Sequence, residues 1–294
     1  SDGVPGAIVA KARFAAGYAA IGLGDFLEAR GHMEESLELA RAVGDERAEG
    51  AALAQLGWLL LAAGEHERAR EAAARALVRS EAAGDKVTAS GALNTLAELA
   101  AERSDQAEAQ RFFERSLRLR REVGDRRLMA NSLVNLARRE LETAARERTA
   151  ALLDEALALA LSVRDGWTVS VALGTSGALA LLRADAPTAG RHFAEALEVA
   201  RRRGDKRAVA ESLVGLAAVA AAQGDARRGA RLLGAARALR EAAGASRSPV
   251  EQALEETAAT ALLQRELGEA YEVELAAGSR LDAEETMRLA AGSR

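Results

Sequence analysis

Residues that commonly carry catalysis are sparse in this chain. The three histidines, His32, His66 and His192, lie far apart in the sequence. The segment that begins at His66 lacks the second histidine of an HExxH zinc site. There is no cysteine to act as a nucleophile or a thiolate ligand, and no GxxxxGK(S/T) loop to hold a nucleotide phosphate. We therefore predict that the chain is not an enzyme and uses neither a metal nor a cofactor.

Two further patterns come close to catalytic motifs without matching them. The segment 174–177, Gly-Thr-Ser-Gly, lacks the spacing of a GxSxG nucleophile elbow and its strand-turn-helix context. The carboxylate pairs Glu34-Glu35 and Glu255-Glu256 are adjacent in the sequence. Adjacent side chains on a helix do not face each other, so these pairs cannot share a proton or a ligand.

The elements that would have to position any site are defined by a repeated helix-stop signal. Glycine suits the residue just past a helix end because it adopts φ > 0 at little cost, and aspartate accepts the first free N–H groups of the next helix. The pattern recurs every 40 residues, with a second series halfway between, so it predicts a helix stop about every twenty residues. The first series is Gly44-Asp45, Gly84-Asp85, Gly124-Asp125, Arg164-Asp165 and Gly204-Asp205, and the second is Gly24-Asp25, Gly64-Glu65, Ser104-Asp105, Ala184-Asp185 and Gly224-Asp225.

Helices of about 17 residues follow from this spacing, with capping boxes predicted at Asp25 to Glu28 and at Asp105 to Glu108. The turn within 141–150 has the weakest signal because it contains no Gly, Asp or Pro. After Gly244 the period breaks. We expect a helix from Ser248-Pro249 to about Leu267 and a short final helix after Leu281-Asp282.

Small residues recur at three positions of each predicted helix pair, and they resemble the signature of the tetratricopeptide repeat (TPR). The resemblance implies an all-α, right-handed superhelical solenoid, with about six helix pairs in 1–243 and capping helices in 244–294. The 40-residue period, longer than the usual ~34, and the missing proline indicate a long-helix subtype. The small residues are Gly17, Gly57, Ala97, Ala137, Gly177 and Ala217; Ala29, Ala69, Ala109, Thr149, Ala189 and Gly229; and Ser36, Ala76, Ser116, Ala156, Ala196 and Ala236.

The last third carries a narrower resemblance. The segments 231–241, 267–271 and 281–285, with Pro249, look like the end of bacterial LuxR-type and related signal-transduction ATPase (STAND) regulators. In such proteins the repeats form a sensor arm joined to ATPase and DNA-binding modules. We therefore expect a regulatory domain that binds a ligand or a protein, with a free-standing scaffold or peptide-binding adaptor as the alternative. Because the chain begins at Ser1 and not with Met, we expect a piece of a longer protein.

The resemblance also implies where a partner would bind, because first helices line the concave groove of tetratricopeptide arrays. We expect a protein, a peptide or a small-molecule inducer there. The alternative is that the aromatics pack between repeats and the amides are solvated. A carboxylate clamp is not expected, because Lys11 is the only groove lysine. The predicted groove residues are Tyr18, Gln55, Trp58, Asn94, Glu98, Asn131, Asn135 and Arg138, with Thr95 and Thr175 at positions equivalent to Gln55.

Charge and hydropathy limit the partners further. The net charge is −4 with mixed signs, so we expect no direct contact with nucleic acid or membrane. No apolar run approaches the ~18 residues of a membrane helix, and the lack of cysteine fits a cytoplasmic protein. The arginine runs 118–121 and 201–203 lie near predicted helix ends. We interpret them as solvated cations that complement helix dipoles, with a phosphate-binding patch as the alternative.

Overall fold

The computed structural model describes residues 5–23, 25–141, 146–243 and 249–292. These ranges contain helices and no strand, which confirms the all-α prediction. Gly24, the 142–145 part of the predicted weak turn, and residues 244–248 lie outside the described ranges. The paired helices are α1 Gly6–Leu23, α2 Phe26–Ala42, α3 Glu46–Ala62, α4 His66–Ala82, α5 Lys86–Glu102, α6 Gln106–Val123, α7 Arg126–Glu140, α8 Arg146–Ser162, α9 Gly166–Leu182, α10 Ala186–Arg203, α11 Lys206–Ala222 and α12 Ala226–Ala242.

The Gly-Asp pairs end one helix and begin the next, as predicted. At the end of α2, Gly44 has φ +70°. Its N–H donates to the Arg41 carbonyl at 3.2 Å, and the Asp45 N–H donates to the Ala40 carbonyl at 3.0 Å. The Asp45 carboxylate then accepts the Ala48 N–H of α3 at 3.0 Å. Because both sets of free backbone groups are satisfied within nine residues, the turn is specified locally.

Three turns adopt the same conformation without glycine. Ser104, Arg164 and Ala184 have φ values of 64°, 54° and 58°. The Arg164-Asp165 slot therefore behaves as predicted, with the Asp165 N–H donating to the Ala160 carbonyl at 2.9 Å. A left-handed conformation costs an ordinary L-residue ~1–2 kcal/mol, so the surrounding helices impose it on these side chains.

At each of the two predicted capping boxes, only one of the two hydrogen bonds forms. Asp25 and Asp105 each accept the backbone N–H three residues on. The reciprocal bond is prevented at Asp25 because its own N–H already donates to the Ala20 carbonyl of the preceding helix at 3.0 Å. A complete box occurs at Asp282, whose N–H donates to Glu285 Oε2 at 3.0 Å. No helix ends immediately before Asp282, so its N–H is available.

The chain divides into two compact units at Ser132 and Leu133, within α7. In unit 1, small residues allow close helix contact where they were predicted. A Cβ added to Gly17 would lie 2.9 Å from Met33 Cε, and one added to Gly57 would lie 3.2 Å from the Ala73 backbone nitrogen. Ala97 is completely buried. The predicted packing register is therefore confirmed here.

Unit 2 packs around a larger side chain. Phe193 of α10 is 1% exposed and lies between α9 and α11. A Cβ on Gly177 would come within 2.8 Å of its ring, and one on Gly215 within 2.3 Å. Gly177 was among the predicted small residues, and Gly215 was not. The ring therefore requires glycine on both neighbouring helices.

The C-terminal segment contains a helix that the sequence pattern did not predict. The predicted helix to Leu267 is present as α13 Pro249–Ala253, a π-helical segment Leu254–Thr260 and α14 Ala261–Leu267. The final helix, α16 Ala283–Ala291, is also confirmed. The unpredicted helix is α15 Ala270–Gly278. The division of the chain at residue 243 into repeats and capping helices stays a prediction.

Buried ion pairs attach this segment to α12. Glu251 and Glu255 are 1% and 4% exposed. Arg237 Nε lies 2.7 Å from Glu255 Oε1, and Arg240 contacts both carboxylates. Arg228 donates to the last carbonyls of α16. The C-terminal helices therefore cover the apolar side of the sixth helix pair, where Leu254, Leu263 and Tyr271 pack with Leu232 and Leu233.

Candidate ligand groove

Six of the predicted groove residues lie in unit 1, one or two on each first helix. We refer to these six side chains together as the first-helix face: Tyr18 of α1, Gln55 and Trp58 of α3, Asn94 and Glu98 of α5, and Asn131 of α7. Tyr18 and Trp58 are 50% and 38% exposed, and the other four are half-buried. Asn94 also reaches the second helix of its own pair, where its amide contacts Ser116 and Arg120 of α6.

The two aromatic residues of this face each rest against one neighbouring ring. Tyr18 stacks on Phe14 with ring centroids 6.4 Å apart and an interplanar angle of 22°. Trp58 meets Phe26 edge-on, with centroids 5.5 Å apart and an angle of 87°. These contacts hold the rings in position, and the exposed remainder of each ring is available to a partner.

A buried arginine lies beneath the amides of the face. Arg120 of α6 is 5% exposed, although its run was predicted to be solvated. Its guanidinium reaches inward between α5 and α7, where Nε donates to Ser90 Oγ at 3.1 Å and Nη1 donates to the Leu128 carbonyl at 2.8 Å. Nη1 also donates to Asn131 Oδ1 at 3.1 Å. The prediction was wrong for Arg120 because the packed helices supply enough oxygen atoms to replace water.

Asn94 completes the contacts of this guanidinium. We assign its amide the orientation that satisfies both neighbours, in which the oxygen accepts from Arg120 Nη2 at 2.8 Å and the nitrogen donates to Ser116 Oγ at 2.8 Å. Burial lowers the pKa of Arg120 to about 10, and the Asp125 charge opposes that shift. Arg120 therefore stays charged at neutral pH. The oxygen atoms that accept from it belong to Ser90, Asn94, Leu128 and Asn131, all of them neutral.

A groove of about 350 Å³ opens near the first residues of α3 and α5. Its polar lining includes Lys11, Arg47, Asp45 and Asp85, and Phe14 and alanines supply the apolar part. Arg47 Nε lies 3.3 Å from Asp85 Oδ2. Burial acts to raise the pKa of Asp85, but hydrogen bonds from Thr88 together with Arg47 outweigh burial and hold it below the ordinary value. Of these residues the sequence indicated only Lys11 as a groove residue, because Asp45 and Asp85 were interpreted as helix caps.

The remaining predicted residues belong to unit 2 or are buried. Asn135 and Arg138 lie on the part of α7 in unit 2, and both are half-buried. Thr95 and Thr175 are 2% and 3% exposed, and Thr175 Oγ1 donates to the Val171 carbonyl at 2.8 Å. These threonines are thus part of the helix packing. Unit 2 exposes a different aromatic residue, Trp167 at the start of α9, with 41% of its surface accessible.

The described ranges offer no candidate for a metal site or a membrane span. No group of three or more His, Cys, Asp or Glu side chains there is arranged to hold a metal ion. In the same part of the chain, no helix is both long enough and apolar enough to cross a membrane.

Comparison with known proteins agrees with this helix arrangement. Residues 9–82 match the family model described as tetratricopeptide repeat. The chain has the tetratricopeptide-repeat fold. Curated protein sequences give no match.

Solved structures extend the likeness of this tetratricopeptide fold over most of the chain. BtubC (BKLC) from P. vanneervenii has TM-score 0.60 and 21% identity, over 74% of this chain and 92% of that one. A signal transduction ATPase with numerous domains (STAND) protein with a tetratricopeptide repeat sensor, from Pyrococcus horikoshii, has TM-score 0.59 and 14% identity, over 90% and 43%. The Rap conjugation gene regulator of the plasmid pLS20, in complex with a Phr peptide, has TM-score 0.59 and 13% identity, over 86% and 74%. At these identities the likeness is one of fold.

Proposed function

We propose that this tetratricopeptide domain is a non-catalytic regulatory module that binds a peptide or a protein segment on the first-helix face of unit 1. The observation that carries the proposal is the exposure of Tyr18 and Trp58 on that face. Phe113, Phe193 and Tyr271 are almost completely buried, whereas Phe26 and Trp167 are also exposed, so exposure distinguishes only some of the aromatic residues. Tyrosine and tryptophan are enriched among the residues that dominate binding energy in protein interfaces.

The amides next to these rings support a peptide as the ligand. Gln55, Asn94 and Asn131 lie on three successive first helices. An extended peptide has carbonyl and N–H groups along its length, and side-chain amides can pair with both. Aromatic contact and backbone hydrogen bonding together suit a short extended segment better than a flat protein surface. A small-molecule inducer would fill only part of this face.

The context that we propose is the sensor arm of a bacterial signal-transduction or transcriptional regulator in the cytoplasm. In this arrangement, ATPase and DNA-binding modules would lie upstream on the same polypeptide. The STAND protein with a tetratricopeptide sensor and the peptide-bound Rap regulator support it by analogy of fold. The alternative is a free-standing scaffold or peptide-binding adaptor. The complete gene sequence upstream of Ser1 would distinguish the two contexts.

Peptide binding can be tested with tryptophan as the reporter, because the chain has only two tryptophans. Trp167→Phe leaves Trp58 as the one emitting residue and also serves as a matched control, since it alters an exposed aromatic residue in unit 2. We would select ligands from a random peptide library displayed on phage and titrate them while recording Trp58 emission. We expect the emission to shift on binding.

Substitution then tests the site. Tyr18→Ala with Trp58→Ala should weaken the selected peptides by ~2 kcal/mol or more, about 30-fold in Kd, without changing the helical circular dichroism signal. Trp167→Phe should bind as the parent chain does. A library that yields no binder would overturn the proposal for peptides. Selected peptides that bind the folded double variant undiminished would show that the ligand occupies another surface.

A further inference from the structure

We propose that Arg120 is a positioning residue that holds the Asn94 and Asn131 amides as hydrogen-bond donors, so that the first-helix face selects a carbonyl oxygen of the bound peptide. The inference rests on the proposed function and adds the chemistry of recognition at these two amides. It follows from the fact that the buried guanidinium can donate hydrogen bonds but cannot accept them.

Arg120 determines the orientation of the Asn131 side-chain amide. An asparagine amide can rotate by half a turn and exchange its donor and acceptor ends at little cost when both ends face water. A guanidinium carries only donors, so the Asn131 oxygen must face Arg120 Nη1, as it does at 3.1 Å. The Asn131 nitrogen then points away from Arg120, and it makes no hydrogen bond with any other residue in the described ranges. Two N–H donors are left for a partner.

Asn94 is held in the same way. Its oxygen accepts from Arg120 Nη2, and one of its two N–H groups donates to Ser116 Oγ, both at 2.8 Å. One N–H group of Asn94 remains. The same guanidinium thus orients amides on two successive first helices, α5 and α7. Both amides present N–H donors to a partner. If either amide rotated to present its oxygen, its own N–H groups would face the guanidinium, which has only donors.

The charge of Arg120 strengthens this selection. Arg120 is 5% exposed, and the oxygen atoms that accept hydrogen bonds from it are neutral, so its charge is little screened by water. A cation that donates a hydrogen bond to an amide oxygen polarises the amide and makes its N–H groups better donors. The same charge repels a partner's donor groups. An acceptor oxygen on the peptide is therefore favoured over an N–H group at this point.

A purely structural role for Arg120 makes different predictions. Arg120 also joins α5, α6 and α7 through Ser90 and Leu128, so its removal will lower stability in either case. A positioning role additionally requires that the side-chain amide of Asn131 lose its fixed orientation when the guanidinium is removed. It also requires that the effect of Arg120 on peptide binding depend on Asn131.

The ligand-free protein tests the orientation directly. In NMR spectra we expect the Asn131 side-chain amide to be rigid in the parent chain and averaged between orientations in Arg120→Met. The matched control is Arg118→Met, which alters an exposed arginine on the same helix and should leave the resonances unchanged. A rigid Asn131 amide in folded Arg120→Met would overturn the proposal. This measurement needs no ligand, so it is independent of the proposed function.

A second variant keeps an acceptor oxygen opposite Arg120. Asn131→Asp places a carboxylate against Arg120, so the melting temperature should rise because the buried cation gains an ion pair. The same change replaces the donors with acceptors, so the library-selected peptides should bind at least tenfold more weakly. A variant that is more stable and binds peptide as well as the parent chain does would overturn the donor role.

A double-mutant cycle on peptide affinity completes the test. Arg120→Met should weaken the selected peptides at least fivefold in the parent chain and by less than twofold in the Asn131→Ala background. Equal losses in both backgrounds would mean that Arg120 acts on the fold alone. Replacing acidic side chains of the peptides with amides should leave affinity unchanged, because we assign the acceptor to the backbone. A loss on that replacement would overturn the assignment to a carbonyl oxygen.

Discussion

We predict that the contact between α12 and α15 will not tolerate alanine, because two glycines allow the helix backbones to touch. A Cβ added to Gly234 would lie 2.0 Å from the Leu275 carbonyl oxygen, and one added to Gly278 would lie 2.0 Å from the Arg231 carbonyl oxygen. Carbon and carbonyl oxygen normally approach to about 3.3 Å. Gly234→Ala should therefore force α15 away from α12 by about 1.3 Å.

The cost can be estimated from what that displacement disturbs. Overpacking typically costs ~1–3 kcal/mol, and rotamer changes relieve part of it. Here both obstructing groups are backbone, so we expect the upper end, about 3 kcal/mol. The displacement also disturbs the burial of Tyr271, 3% exposed, and the ion pair between Arg231 and Glu274 at 2.6 Å. For a unit of this size, 3 kcal/mol corresponds to a fall in melting temperature of roughly 6–12 °C.

Thermal unfolding monitored by circular dichroism measures this shift, and Gly174→Ala provides the control. Gly174 also lies within a helix of unit 2, but a Cβ there would have no atom within 4 Å. Alanine is favoured over glycine in a helix interior by ~0.5–1 kcal/mol, so the control should melt at a higher temperature. The two Gly→Ala changes should thus have opposite signs. Gly278→Ala should resemble Gly234→Ala, and the pair together should cost less than the sum, because α15 is displaced only once.

An unchanged or higher melting temperature in Gly234→Ala would refute the close helix contact. Equal destabilisation by Gly174→Ala and Gly234→Ala would refute the argument from backbone contact, because it would show a general intolerance of alanine. Limited proteolysis adds a local readout. Cleavage between α14 and α15 should become faster in Gly234→Ala and remain at the parent rate in Gly174→Ala.

Three further predictions concern single side chains. Ala184→Gly should raise the free energy of unfolding by ~0.5–1 kcal/mol, because Ala184 has φ 58°, and Gly204→Ala should lower it by a similar amount; denaturant titration measures both, and a destabilised Ala184→Gly would contradict the strain. Tyr271→Phe should be neutral or stabilise by about 1 kcal/mol, because the buried Tyr271 hydroxyl has no hydrogen-bond partner in the described ranges; a lower melting temperature would reveal a partner. The folded-state pKa of Asp85 is lowered, so its contribution to stability is present above its unfolded pKa of about 3.9 and is lost as pH falls through the folded value. Asp85→Asn should therefore lose less stability than the parent chain between pH 5 and pH 3, and an identical loss would contradict the shift.

Local signals in the sequence were sufficient for most of the repeat fold. Each helix end depends on groups within about six residues, as at Gly44 and Asp45, so the dipeptide pattern located the turns even where Arg164 replaces glycine. The small residues were also readable, because close helix contact excludes a large side chain whatever else surrounds it. The groove positions were predicted from register alone. Of these, Tyr18 and Trp58 are exposed in the structure.

Only the tertiary structure decided whether long polar side chains are buried or exposed, and which atoms they contact. Arg120 has enough rotatable bonds to reach either water or the interior, and the oxygens that accept from it come from two other helices, α5 and α7. Nothing in the local sequence distinguishes it from Arg118, which is exposed. The same limit applies to α15, whose contact with α12 joins residues more than forty positions apart. Short-range stereochemistry sets where a helix ends, whereas the pairing of a donor with its acceptor depends on distances that exist only after the helices have packed.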